Sequence, residues 1–127
     1  MFSHIMVGTN DIDRAKTFYD AVLGTLGVAA GFVDRHRVFW RTATGVFSVS
    51  VPINGEAASF GNGGTIGFAC TSAEQVDAWH AIGLACGGTP CEEPPGLREG
   101  FGVKLYLAYL RDLDGNKICG MYRMPRG

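Results

Sequence analysis

Apolar positions change period along this chain, and the changes come twice in the same order. His4-Ile5-Met6-Val7 is a short β-rich run. From Ile12 the apolar residues Ala15, Phe18, Tyr19, Val22, Leu23 and Leu26 recur in steps of three and four, the stripe of an amphipathic helix. Asn10, Asp11 and Asp13 stand where side-chain oxygens accept from free helical N–H groups, and Gly24 and Gly27 are placed to end the helix. Gly27 to Phe32, His36 to Thr42 and Val46 to Ile53 then read as three strands, with turns at Asp34-Arg35 and Thr44-Gly45. The order expected for this half is β-α-β-β-β.

Asn54 to Asn62 has no periodicity and reads as a linker. After Gly63-Gly64 the pattern restarts. Thr65 to Cys70 is a strand, and Ser72 with Gln75 forms a capping box ahead of the stripe Val76, Trp79, His80 and Leu84. Gly87-Gly88 ends that helix, Thr89 to Glu93 reads as a short strand, and Pro94 to Gly102 as a loop. Two strands joined by a tight turn at Asp114-Gly115 close the chain. A shift of 61 places Asp11 on Ser72, Phe18 on Trp79, Tyr19 on His80 and Leu23 on Leu84. Near the C-terminus the shift grows to 70, which matches Arg41 with Arg111, Gly45 with Gly115 and Val49 with Cys119. Two modules are expected, residues 1–53 and 63–127 with 54–62 between them, sharing one core because neither is large enough alone.

Composition narrows the function classes. The 127 residues are 46% apolar and 18% charged with a net charge of −1, a globular balance without a basic or acidic block. Nucleic acid and membrane surfaces are therefore not expected partners. No basic segment followed by a long apolar run stands at the N-terminus, and the four cysteines form no CxxC or zinc spacing, so a cytoplasmic protein with reduced thiols is expected.

Trp40, Phe47, Phe68, Tyr106 and Tyr109 lie on expected strands. Either they are core, or they line an apolar small-molecule pocket. The Pro94–Gly102 segment reads as a flap over its opening, with Arg98 offering a charge and Phe101 an anchor. His80 reads as packing. The arginines around His36 either face solvent or send one guanidinium to a ligand carboxylate.

The duplicated βαβββ order, the His4–Val7 and Asp11–Tyr19 stretches, and Arg111-Asp112-Leu113-Asp114-Gly115-Asn116-Lys117-Ile118 together resemble the glyoxalase/bleomycin-resistance/extradiol-dioxygenase (vicinal oxygen chelate) superfamily. The last stretch is similar to that family's DPDGN hairpin, with Leu113 in place of Pro. The resemblance implies an α+β protein of two paired βαβββ modules curled into a half-open barrel. In catalytic members a divalent metal inside it is held by His or Glu at four strand positions, acting as a Lewis acid. Carried over residue by residue, those positions are His4, Val49, Thr65 and Cys119. This set offers no carboxylate, so no metal centre and no cofactor are expected; zinc or another divalent ion would enter only through His4.

His4 is then either a hydrogen-bonded pocket histidine or a ligand. Cys119 is either a small buried hydrophobe or a thiol whose pKa His4 lowers, a catalytic pair. The expected site joins His4 and Cys119 as catalytic candidates with Trp40, Phe47, Thr65, Phe68, Arg98, Phe101, Tyr106 and Tyr109 as ligand contacts. Two function classes follow: a lyase or isomerase-type enzyme acting on a small oxygenated compound, or a non-catalytic protein that sequesters an apolar ligand, as resistance members of the family do. A homodimer is expected in either case.

Overall fold

A computed structural model describes residues 1–100 and 102–125. The elements run β1 (His4–Gly8), α1 (Ile12–Gly24), β2 (Phe32–Asp34), β3 (Arg37–Thr42), β4 (Gly45–Ser50), β5 (Ile66–Ala69), α2 (Ala73–Ala85), β6 (Thr89–Gly100), β7 (Val103–Arg111) and β8 (Lys117–Arg123). Two four-stranded sheets result, ordered β1-β4-β3-β2 and β5-β8-β7-β6. In each, the strand before the helix returns as the parallel edge partner of the last strand, β1 on β4 and β5 on β8. The architecture is α+β, with two βαβββ units and sheets left open rather than closed into a barrel.

The helix starts follow their caps. Asp11 is extended and its carboxylate accepts from the Arg14 N–H at 3.1 Å; Ser72 does the same for Gln75 at 3.0 Å. The reciprocal half of the capping box is displaced: the Gln75 amide oxygen accepts from the Thr71 N–H at 2.7 Å. Its amide nitrogen donates to the Thr25 carbonyl at 3.2 Å, tying the start of α2 to the end of α1.

Gly27 to Gly31 is not a strand; β2 begins only at Phe32. Gly27, at φ +81°, ends α1 with paired bonds from Val28 N–H to the Leu23 carbonyl and from Gly27 N–H to the Gly24 carbonyl. That segment satisfies the helix terminus instead of a sheet ladder. The following hairpin turns at Arg35-His36, one residue later than expected, since Asp34 pairs with Arg37. Nor is Pro94–Gly102 a loop up to Gly100: β6 runs through it with a bulge between Cys91 and Gly96. The two prolines fall in the bulge of this edge strand, where no ladder N–H is demanded.

Each helix covers one face of its own sheet, α1 the first and α2 the second, and because the two helices also meet, one core results. Phe18, Tyr19 and Val22 of α1 meet Val38, Trp40, Phe47 and Val49; Val76 and Trp79 of α2 belong to the same cluster as Ala108, Leu110 and Ile118. The cluster crosses the modules where the Phe47 and Phe68 rings meet edge to face, centroids 5.1 Å apart. Trp79 lies on the bare backbone of Gly120, where an added Cβ would come within 2.8 Å of the indole. A second junction is polar. Tyr19 donates its hydroxyl to Asp112, and Asn116 donates to the Gly8 carbonyl at 3.0 Å.

The repeat has a different register from the one expected near its end. Phe47 pairs with Ile5 and Ile118 pairs with Ile66, so Phe47 and Ile118 are equivalent, 71 positions apart (118 − 47). Arg41 and Arg111 are equivalent at 70 (111 − 41), through their partners Val46 and Lys117. The extra residue sits in the hairpin: Arg111 and Lys117 are joined by Asp112–Asn116, a longer connection than the tight turn expected at Asp114-Gly115. Ser48, not Val49, is therefore the counterpart of Cys119. Because successive strand residues face opposite ways, that single step moves the assignment to the other face of the sheet.

Candidate functional site

Alternation along each strand separates two surfaces. Val7, Phe47 and Val49 belong to the core beneath the helices, whereas His4, Met6 and Ser48 alternate with them and face away. In the second sheet Ile118 and Gly120 face the helices, and Cys119 faces away, paired with Gly67 and Tyr109. Val49 is thus a core residue, 1% exposed, and is withdrawn from the positions facing the opening. His4 is exposed, its Nδ1 2.8 Å from the Ser3 hydroxyl. Thr65 is exposed and lies just ahead of β5.

Cys119 is 2% exposed. Burial, then Cys70 and Glu92, pushes its thiol up to about 11, against the opposing pull of Lys117 and Tyr109. It is protonated at neutral pH, and the groups acting on it all belong to the second module. His4 lies in the first. The Lys117 ammonium is ion-paired to Glu92 and stands 4.8 Å over the Tyr109 ring centroid. Glu92 reaches it from the β6 bulge, in a left-handed conformation at φ +56°. Neither Glu92 nor Lys117 was legible as a site residue; the Pro94-Pro95 pair marks the bulge that brings Glu92 there. Arg98 is half-buried and is held by its own strand, donating to the Pro94 carbonyl at 3.0 Å. Phe101 lies outside the described residues.

The aromatic contacts expected of a ligand site go elsewhere. Trp40, Phe47 and Phe68 line a cavity of about 430 Å³ between the modules, with Leu23, Leu26 and Val28 from the end of α1 and the chain after it. The cavity borders Thr42 and Thr44 at the β3–β4 turn and the whole of β5. Trp40 is fixed there because its indole N–H donates to Asp20 at 2.9 Å. Burial raises the Asp20 carboxyl, but hydrogen bonds from Lys16, Gly31 and Trp40 outweigh it and hold it below its ordinary value. Tyr106 turns to α2 and donates to Asp77 at 2.8 Å. The expected residues therefore divide: Trp40, Phe47 and Phe68 at the cavity, Tyr109 and Cys119 on the open face of the second sheet, and Tyr106 on its helix face.

The positions that resemble the family's metal ligands, with Ser48 replacing Val49, provide an exposed imidazole, two hydroxyls and a protonated thiol. This set does not fit a divalent metal, which needs carboxylate oxygens or a cluster of imidazoles and thiolates. Among the described residues no group of three or more His, Cys, Asp or Glu stands together as a metal site. No helix among them is long and apolar enough to cross a membrane.

No functionally curated protein matches the sequence. A solved glyoxalase/bleomycin resistance protein from Albidiferax ferrireducens T118 is 59% identical, with a TM-score of 0.95 over 97% of this chain and 99% of that one. A glyoxalase/bleomycin resistance protein/dioxygenase family enzyme from Burkholderia phytofirmans PsJN shares the fold at 18% identity, with a TM-score of 0.73 over 96% and 98% of the chains. A putative glyoxalase from Bacillus halodurans does so at 16% identity and a TM-score of 0.75, over 96% and 95%. The family model for the Glyoxalase/Bleomycin resistance protein/Dioxygenase superfamily matches residues 1–119, and with the paired βαβββ units this chain belongs to that superfamily.

Proposed function

We propose that this protein binds a small apolar molecule in the cavity between its two modules and does not need the family's metal to do so. The cavity carries the reading. At about 430 Å³ it has the size of a small-molecule site, and three aromatic rings wall it. Binding with sequestration, the role of resistance-type members, is favoured over metal-assisted chemistry because the ligand positions lack anionic oxygen. Calorimetric titration of chelator-treated protein with 1-naphthol, an aromatic probe, tests it. Saturable binding is expected, and Val28→Trp, which fills the cavity from a half-buried loop position, should abolish it. Equal binding by that variant with an unchanged fold would remove the cavity from the account.

A second reading, a lyase or isomerase-type enzyme on a small oxygenated compound, draws on the Glu92, Lys117, Tyr109 and Cys119 cluster on the open sheet face. A carboxylate, an ammonium and a phenol there are placed to handle protons. Turnover lost in Lys117→Met with the fold intact would favour it; turnover unaffected by that change would exclude the cluster.

Pairing of two chains belongs to the same proposal, because Phe32 and Val33 on the edge strand β2 are 51% and 49% exposed. Sedimentation at twice the 13.6 kDa chain mass is expected, and a monomer at high concentration counts against it.

A further inference from the structure

The cavity between the modules has no ionisable side chain in its lining among the described residues. Its body is aliphatic and aromatic, and every polar group it offers is neutral. Two of these are the hydroxyls of Thr42 and Thr44, 3.2 Å apart and exposed at the β3–β4 turn. Backbone groups add to these, among them those of β5, which borders the cavity along its length and ends its sheet. An edge strand leaves the outward half of its backbone N–H and C=O groups without ladder partners. Asp20, the carboxylate bonded to the Trp40 ring, already accepts from Trp40 and Gly31 through Oδ1 and pairs with Lys16 through Oδ2.

We propose that this cavity selects an uncharged ligand, an aromatic or alicyclic body carrying a hydroxyl or carbonyl group that meets Thr42, Thr44 or the β5 edge. The inference rests on the cavity being the ligand site, as proposed above. An ionic group entering it would give up hydration with no counter-charge to receive it, which is strongly unfavourable. A hydroxyl or carbonyl gives up less and finds a partner at the threonines or the strand edge. The same lining that admits the apolar body therefore rejects carboxylate, phosphate and ammonium compounds.

Three probes with one ring separate charge from shape: 1-naphthol, 1-naphthoate and 1-naphthylmethylammonium, titrated calorimetrically near neutral pH. The neutral probe should bind at least about tenfold more tightly than either ion. Thr44→Lys, at an exposed turn position, places a cation at the rim and should raise naphthoate affinity by about tenfold, narrowing or reversing the preference for naphthol. An ion that binds the natural protein as tightly as naphthol overturns the selection for neutrality. Unchanged naphthoate affinity in Thr44→Lys overturns the placing of the ligand's polar end at this rim. Binding of all three probes that Val28→Trp leaves untouched, or binding of none, rejects the cavity itself and this inference with it.

Discussion

The Tyr19 hydroxyl donates to the Asp112 carboxylate at 2.6 Å, joining the first helix to the last hairpin across 93 positions of sequence. The same carboxylate accepts from the Asp114 and Asn116 N–H groups at 2.9 Å each and from the Asn116 side chain at 2.9 Å. One buried group thus shapes the hairpin and docks it against the other module. Tyr19→Phe should lower unfolding free energy by about 1.5–3 kcal/mol, the range for a hydrogen bond to a charged group. Asp112→Ala should cost more, since the turn's N–H groups also lose their acceptor. Chemical denaturation measures both, and a Tyr19→Phe cost near zero would deny the junction its role.

The buried Tyr19 also has a pH signature. Burial, then the charge of Asp112, raises its pKa well above the ordinary 10.0. The unfolded chain then loses this proton first, so stability holds below the usual tyrosine range and falls as pH rises through it. Tyr19→Phe should remove up to about 1.4 kcal/mol per pH unit of that alkaline slope. Identical slopes in the two proteins would contradict the assignment.

Asp20 gives the opposite sign at the cavity wall. Its carboxyl lies below the ordinary 3.8 because the bonds from Lys16, Gly31 and Trp40 outweigh its burial. The support it gives Trp40 is present above the usual carboxylate range and is lost as pH falls through the lowered value. Asp20→Ala should weaken 1-naphthol binding at neutral pH by about tenfold, the lower end of the effect of one lost hydrogen bond to a charged group. Unaltered affinity would mean that the position of the indole does not matter to the ligand.

Most of the fold could be read from the chain because it is written in local chemistry. The caps Asp11 and Ser72 and the stripes behind them place two helices 61 residues apart, where the structure has them. What escaped depends on tertiary context. Gly27 to Phe32 looks like a strand by composition, yet its first residues close α1 and Gly31 gives its N–H to Asp20. The hairpin's single extra residue does not disturb the match of Arg41 with Arg111, but it reverses the facing of every β4 assignment beyond it. Trp40, Phe47 and Phe68 were recognisable as aromatic strand residues. That they meet at a cavity on the helix side, away from Cys119, depends on how two modules pack.

The corrected register separates two substitutions that differ by one position. Val49→Glu would bury a carboxylate against Val38 in the core and should cost several kcal/mol, about 3 or more. Ser48 is buried too, its hydroxyl donating to the Ile5 carbonyl at 2.9 Å, but it lies on the face of Met6, which is 37% exposed, where a longer side chain can reach solvent, so Ser48→Glu should cost less than Val49→Glu. Thermal unfolding of both variants checks this, and equal tolerance would argue that the facing is wrong.

The donor set at His4, Ser48, Thr65 and Cys119 makes a further claim. Protein purified without added ions should contain well under one metal per chain, and a chelator should leave its melting temperature unchanged. Near one metal per chain by elemental analysis, abolished by His4→Ala, would return the protein to the metal-dependent members of its superfamily.

Where a ligand sits is the central question, and mapping amide shifts in ¹⁵N-labelled protein during a 1-naphthol titration answers it most directly. The shifts are expected to concentrate on the Trp40 indole N–H, the Thr42–Phe47 turn and Ile66–Ala69, the residues around the inter-module cavity. Shifts concentrated instead on Tyr109, Lys117 and Cys119, with the Trp40 indole unmoved, would contradict the account and place the ligand on the open face of the second sheet.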